Sequence, residues 1–303
     1  VAMAAKVAGR EGLGPDEHQG VRPTKREGLD ASLGGTTFAT HMGEQLRQIG
    51  SYLNHLVKAR SRHAVHSPFI YQLADQALRD QGDRPEFAAI EQLREELLES
   101  EQTIRVNDLG AGSRILDLPV RRIADMAETA LKPAHYAQML FRLARYFDPG
   151  TVLELGTSFG ISSLYLARGA ENGHVITVEG CPQTHHIARH HFEELRQRNI
   201  TPLLGSFRAR LPEVLRNVDA LDMVFIDGHH LKDPTLEYFE QCLTKAHNDS
   251  VFIFDDIHWS KGMEEAWEVI QQHPRVTVTV DLYAMGLVFF RSEQARQHFR
   301  LRY

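Results

Sequence analysis

The sequence predicts an α/β protein: a mostly parallel sheet with helices on both faces, a C-terminal antiparallel hairpin, and a helical region ahead of them. Three observations carry this reading. Beyond Lys132, short apolar strands alternate with amphipathic stretches, the pattern that builds a parallel sheet covered by helices. The last two strand candidates, 276–281 and 286–291, are joined near Tyr283-Ala284-Met285 by a turn too short for a crossover helix, so they must pair antiparallel. Upstream, apolar residues recur at helical spacing, first at Leu46, Ile49, Leu53, Leu56 and Val57, then at Ile90, Leu93, Leu97 and Leu98.

Residues 1–40 are rich in Gly, Ala, Arg and Glu with few large apolar side chains, and they read as a disordered tail. Residues 41–131 read as an N-terminal helical cap or lid region, and 132–303 as the α/β domain. Within the cap, His66-Ser67-Pro68-Phe69 places proline where a helix can begin and Ser67 where it can cap that helix. In the α/β domain the strands are expected at 151–155, 174–178, 201–204, 222–226 and 251–254, followed by the hairpin. Helices are expected at 133–147, 160–169, 183–198, 208–216, 234–246 and 262–272.

The composition narrows the function classes. Acidic residues outnumber basic ones, 40 against 34, for a formal charge of −6, so there is no positive surplus to neutralise a nucleic-acid backbone. Cys181 and Cys242 are far apart, which indicates neither a disulfide framework nor a zinc site. No apolar run approaches the roughly 20 residues that span a bilayer. A cytoplasmic enzyme acting on a small molecule, without nucleic-acid or membrane partners, is the expectation. A homo-oligomer stays open.

Ligands of an open parallel sheet bind past the carboxyl ends of its strands. After the first strand come Glu154-Leu155-Gly156-Thr157-Ser158-Phe159-Gly160, where two glycines let the backbone turn tightly and the next helix offers its N–H groups to an anion. The second strand ends in Glu179-Gly180, about 20 residues beyond Gly156, the spacing at which a carboxylate meets a ribose diol. Glu179 could equally cap the helix that starts at Pro182. Past the third strand, Gly205-Ser206-Phe207 offers a hydroxyl and a ring to an adenine. An earlier stretch, Asp108-Leu109-Gly110-Ala111-Gly112-Ser113, has the look of a glycine loop, but no acidic residue ends a strand some 20 positions later. It reads as a turn in the N-terminal region, near the substrate as a lid.

Asp227 follows the fourth strand in Phe225-Ile226-Asp227-Gly228-His229-His230, and Asp255-Asp256 follow the fifth in Phe254-Asp255-Asp256-Ile257-His258. Adjacent strands would bring these three carboxylates to one edge, where their oxygens suit a hard divalent ion such as Mg²⁺. The same pair could instead cap the next helix. His258, Trp259 and Lys261 lie just beyond and would line an acceptor pocket. The run His185, His186, His190 and His191 reads as a solvated helix face, with His191 turned partly inward beside Ile187 and Leu195.

The order and spacing of Val152-Leu153-Glu154-Leu155-Gly156, Val175-Ile176-Thr177-Val178-Glu179, Gly205-Ser206, Phe225-Ile226-Asp227 and Phe254-Asp255-Asp256 resemble the catechol-type, metal-dependent O-methyltransferases. These belong to the class I S-adenosylmethionine-dependent methyltransferases, and the resemblance covers about residues 132–291. It implies a Rossmann-like, seven-stranded sheet and S-adenosyl-L-methionine as methyl donor. It also implies that Glu179 holds the ribose, Ser162 the methionine carboxylate, Ser206 the adenine, and Asp227, Asp255 and Asp256 the metal. Three positions depart from the pattern. Ser158 stands for the middle glycine of the loop, His230 replaces a basic lysine three residues beyond Asp227, and Asp256 stands where these enzymes carry Asn. An imidazole with an ordinary pKa near 6.5 still qualifies as general base beside Asp227.

Two other readings compete. A nicotinamide oxidoreductase would use the same sheet and the same acidic ribose ligand, but GxGxxG and Tyr-x-x-x-Lys are both absent. A non-catalytic S-adenosylmethionine-binding protein would have little use for Asp227, His230, Asp255 and Asp256 together.

Overall fold

The computed structural model describes residues 33–59, 66–79, 82, 84–106 and 120–303. The glycine-rich stretch 108–113 and residues 1–32 of the expected tail lie outside the described residues. The chain divides into two compact units, Val1–Val57 and Lys58–Tyr303. Helix α1 (Leu33–Lys58) begins upstream of His41, and Leu46, Ile49, Leu53 and Val57 are exposed along it.

The second unit opens with α2 (Pro68–Leu73). Ser67 caps it, its hydroxyl accepting from the Ile70 amide at 3.4 Å, with proline in the first turn as the sequence predicts. The helix continues as a π turn, Ala74–Leu78, and α3 (Ala88–Glu99) follows a 3₁₀ turn at Pro85–Phe87. A short antiparallel pair, β1 (Thr103–Arg105) and β2 (Val120–Arg122), interrupts the region that the sequence reads as helices and a turn, and α4 (Ile123–Ala130) starts directly after it.

Then comes the predicted alternation: α5 (Ala134–Phe147), β3 (Thr151–Leu155), α6 (Ile161–Gly169), β4 (His174–Glu179), α7 (Pro182–Glu194), β5 (Ile200–Leu204) and α8 (Phe207–Asn217). It continues through β6 (Leu221–Ile226), α9 (Lys232–Leu243), β7 (Ala246–Asp255), α10 (Lys261–Gln272), β8 (Val278–Asp281), β9 (Met285–Phe289) and β10 (Gln297–Arg300). The sheet order is β10-β8-β9-β7-β6-β3-β4-β5. Strands β3 to β7 are parallel, and the β8–β9 hairpin is antiparallel, with β9 running against β7. The sheet has eight strands where the sequence resemblance implies seven. The eighth, β10, pairs parallel with β8 at the edge, and its residues Gln297, His298, Phe299 and Arg300 lack the apolar alternation that marks a strand in sequence.

Side-chain alternation along the strands supplies two packed layers. Val152, Met223, Phe225, Val251 and Ile253 face one layer with Met139, Leu140, Leu143 and Leu166. Leu153, Leu155, Val224, Ile226, Phe252 and Phe254 face the other, with Leu211, Phe239, Leu243 and Trp267. Register brings the strand ends together: Leu155 pairs with Val178 and Ile226, and Ile226 with Phe254. The residues that follow those ends therefore lie on one carboxyl edge.

Candidate active site

The glycine loop leaves β3 in a conformation that its residues demand. At Gly156 φ is +112°, and a Cβ there would stand 2.0 Å from the Asp227 carbonyl oxygen, so the loop after β3 and the end of β6 touch backbone to backbone. The Gly156 and Thr157 amides donate to the Val178 carbonyl at 3.0 and 3.3 Å, joining the loop to β4. Ser158, the departure from the glycine pattern, is in the left-handed region at φ 49°, and its amide donates to Glu179 Oε2 at 2.7 Å. Gly160 has φ +84°, and a Cβ on it would come within 2.6 Å of the Phe192 ring. No side chain caps the N-terminus of α6. His191, buried on α7, closes the loop from behind: its Nδ1 lies 2.9 Å from the Phe159 carbonyl, so that nitrogen carries the proton and donates.

Two glutamates flank this loop. Glu154 is fully buried; it accepts from the Thr177 hydroxyl at 2.6 Å and from Ser163, while its Oε1 has no partner. Burial pushes its carboxyl up to about 7, against the hydroxyls of Ser162, Ser163 and Thr177, which favour the charged form. The Thr157 and Thr177 hydroxyls are 2.5 Å apart and complete the network. Burial also raises the pKa of Glu179, opposed by the amides of Cys181, Ser158 and Gly180. Its Oε1 accepts from the Cys181 amide at 2.8 Å, so it does secure the entry to α7 while holding the loop. Ser206 caps α8, its Oγ accepting from Ala209 at 3.3 Å. The neighbouring Phe207 ring packs edge-on to Tyr238 and against Gly228, and is 8% exposed.

Across the edge lies the carboxylate cluster. Oxygens of Asp227 and Asp255 and a ring nitrogen of His230 fall within 4.8 Å of one another. His230 stands 3.6 Å from Asp227 through Nε2 and 3.8 Å from Asp256 through Nδ1. Asp256 is left-handed at φ 53°, a conformation that Asp and Asn tolerate better than most residues. The cap of α10 is Ser260, not Asp255 or Asp256. Of the residues beyond, His258 lies 3.0 Å from Asp281 and stacks on Tyr283, Trp259 is half exposed, and Lys261 faces solvent.

One residue of this cluster is not marked by the sequence. Lys132, two residues ahead of α5, sends its ammonium between the carboxylates, 3.1 Å from Asp227 Oδ2 and in direct contact with Asp255 Oδ2. Burial by itself would lower its pKa, but the charges of Asp227, Asp255 and Asp256 outweigh burial and raise it. Asp255 is pushed up by burial and by Asp256, with Lys132 pulling the other way. Lys132 is about a hundred positions from its partners in the chain and sits in no recognisable motif, so only the fold reveals it. Three carboxylates and an imidazole are a donor set that suits a hard divalent ion. The gap between Asp227 and Asp255 is nevertheless filled by an ammonium, and the arrangement does not fit an ion bridging them.

A surface depression of about 500 Å³ is lined by Arg189, Phe192, Arg196 and Pro202 near the start of β5, at the opposite end of that strand from the carboxyl edge.

Residues 153–257 match the family model Methyltransf_24, described as a methyltransferase domain. A catechol O-methyltransferase of Mycobacterium tuberculosis is 29% identical over 126 residues, 41% of this chain and 56% of the relative. A catechol O-methyltransferase of Bos taurus is 33% identical over 112 residues, 35% of this chain and 40% of the relative. The chain thus covers about half of each relative's length. Among solved structures, the SAH-bound methyltransferase PaMTH1 of Podospora anserina shares the fold, with a TM-score of 0.52 over 75% of this chain and 97% of its own, at 12% identity. The α/β unit has the class I methyltransferase fold, and two of the relatives it is similar to are named catechol O-methyltransferases. Among the described residues no helix is long and apolar enough to cross a membrane.

Proposed function

We propose that this chain is an S-adenosylmethionine-dependent O-methyltransferase that acts on a hydroxyl of a small molecule. The observation that carries the reading is the backbone contact of Gly156 with Asp227, which sets a nucleoside-type loop directly against a cluster of acids and an imidazole. The loop suits the donor. Glu154 Oε1, buried without a partner, is the acceptor that the methionine ammonium group needs. Ser162 and the uncapped start of α6 would hold the methionine carboxylate, Glu179 the ribose diol, and Ser206 and Phe207 would border the adenine.

Bound there, S-adenosylmethionine supplies an electrophilic methyl group on a sulfonium. The chain's own task is to align the acceptor oxygen with that methyl, which alone contributes about 7–11 kcal/mol, and to take the hydroxyl proton. His230 accepts the proton at a ring nitrogen as the acceptor oxygen forms the new C–O bond and the C–S electron pair returns to sulfur. Asp227 and Asp256 flank the resulting imidazolium.

Calorimetry with S-adenosylmethionine, its demethylated product and NAD tests the reading. Binding of the first two and not of NAD is expected; NAD binding without the methyl donor would replace it with a nicotinamide oxidoreductase. A screen of hydroxylated small molecules with labelled methyl donor identifies the acceptor class. With that acceptor, Asp227→Asn is expected to abolish turnover while cofactor affinity stays within about twofold, less than 0.5 kcal/mol.

A further inference from the structure

Buried acids that share a site need a cation, because like charges held close together disfavour ionisation of each other. Asp255 is 4% exposed, and Asp227 and Asp256 are at most 20% exposed. The cation on hand belongs to the chain. Lys132 touches two of the three carboxylates, is itself 12% exposed, and lies 5.6 Å from the centre of the Phe225 ring. Its backbone is fixed as well: Pro133 follows it at the start of α5, and its carbonyl accepts from Arg94. This ammonium is held on both sides, unlike a surface lysine that swings in solvent.

We propose that Lys132 is the resident cation of this site, occupying the place between Asp227 and Asp255 that a divalent ion holds in metal-dependent enzymes, so that methyl transfer here runs without a metal. A divalent ion draws carboxylate oxygens to about 2.0–2.6 Å, so it could bridge Asp227 and Asp255 only after the ammonium had left. The displaced ammonium would then stand beside a dication with the same carboxylates to share. In the proposed role Lys132 is a positioning residue: it compensates and orients the carboxylates beside His230, which takes the proton. The chemistry rests on the methyl-transfer reading; the exclusion of metal does not.

Mn²⁺ titration followed by electron paramagnetic resonance tests the exclusion directly on the full chain. The wild type is expected to leave the free Mn²⁺ signal intact up to about 1 mM, weaker than the Mg²⁺ or Ca²⁺ sites of most enzymes. Lys132→Met removes the charge at similar volume and should bind Mn²⁺ at least tenfold more tightly, whereas Lys132→Arg should exclude it as the wild type does. Adding Asp255→Asn to Lys132→Met should abolish the gained binding. Tight Mn²⁺ binding by the wild type overturns the proposal, as does a folded Lys132→Met protein that gains none. If Lys132→Met fails to fold, the wild-type titration and Lys132→Arg still decide. Calorimetry with the demethylated cofactor on the same preparation tests the methyl-transfer reading separately. Once an acceptor is in hand, EDTA should leave turnover unchanged, and turnover that EDTA removes and Mg²⁺ restores sinks the idea.

Discussion

At the β3–β4 end of the carboxyl edge, Glu154 and Glu179 are held by neutral donors, the hydroxyls of Ser163 and Thr177 and the amides of Ser158 and Cys181. At the β6–β7 end, Asp227, Asp255 and Asp256 are held by charge, from Lys132 and from His230 when it is protonated. Neutral donors orient a carboxylate without cancelling it, which leaves it available to a cationic or hydroxylated ligand. A buried ammonium does cancel it, and the pair then depends on both partners being present. In the proposed function the β3–β4 end is the donor half, left open to a ligand, and the β6–β7 end is the acceptor half, already internally compensated.

Gly156 is where the two halves meet, and breaking it should have the largest effect. Gly156→Ala places a methyl group 2.0 Å from the Asp227 carbonyl at a φ of +112°. A loss of more than about 4 kcal/mol is expected, read as a collapse of the denaturant midpoint or as failure to fold. Near-wild-type stability would mean that the two loops can separate.

Glu179→Ala acts on the donor half alone. It should weaken cofactor binding by about 1.5–3 kcal/mol, the value of charged hydrogen bonds to the ribose hydroxyls. Unchanged affinity by calorimetry would remove Glu179 from the ribose site and leave it as the anchor of Ser158 and Cys181.

The contrast between the halves sharpens with pH. The Glu154 carboxyl is raised from an ordinary 4.5 to about 7 in the folded protein, so the native state binds more protons than the unfolded chain. Its contribution to stability is full below 4.5 and declines as pH rises through about 7. A methionine ammonium group prefers the ionised carboxylate, so cofactor affinity should move the opposite way and rise across the same window. Glu154→Gln should flatten both profiles; a wild-type affinity that does not change with pH would show that Glu154 is not the ammonium partner.

What the sequence could and could not disclose follows from the range of each interaction. The glycine loop, Glu179 and the acidic strand ends are local features repeated at the period of the β-α unit, and the structure places them on one edge. Strand β10 escapes because an edge strand need not alternate, and β1–β2 because each is three residues long. Lys132 escapes for a different reason. The lysine of Leu131-Lys132-Pro133-Ala134 looks like a solvated helix start, and nothing nearby announces that four helices and four strands will carry Asp227 to it, and one more of each Asp255. The histidine run shows a milder version: its exposed members look alike in sequence, yet only His191 meets the Phe159 carbonyl.

The smallest effect is expected at Ser158, and it bears on whether the donor loop stores strain. A non-glycine residue at φ 49° costs roughly 1–2 kcal/mol, which Ser158→Gly would recover. Glycine also adds freedom to the unfolded chain, about 0.5–1 kcal/mol in the other direction. The two terms nearly cancel, so stability should change by less than about 1 kcal/mol, with the sign favouring glycine. Because the contact with Glu179 is made by the Ser158 amide and not its side chain, cofactor affinity should be preserved. A tenfold loss of affinity in Ser158→Gly would show that the hydroxyl, and not only the backbone, reaches the donor.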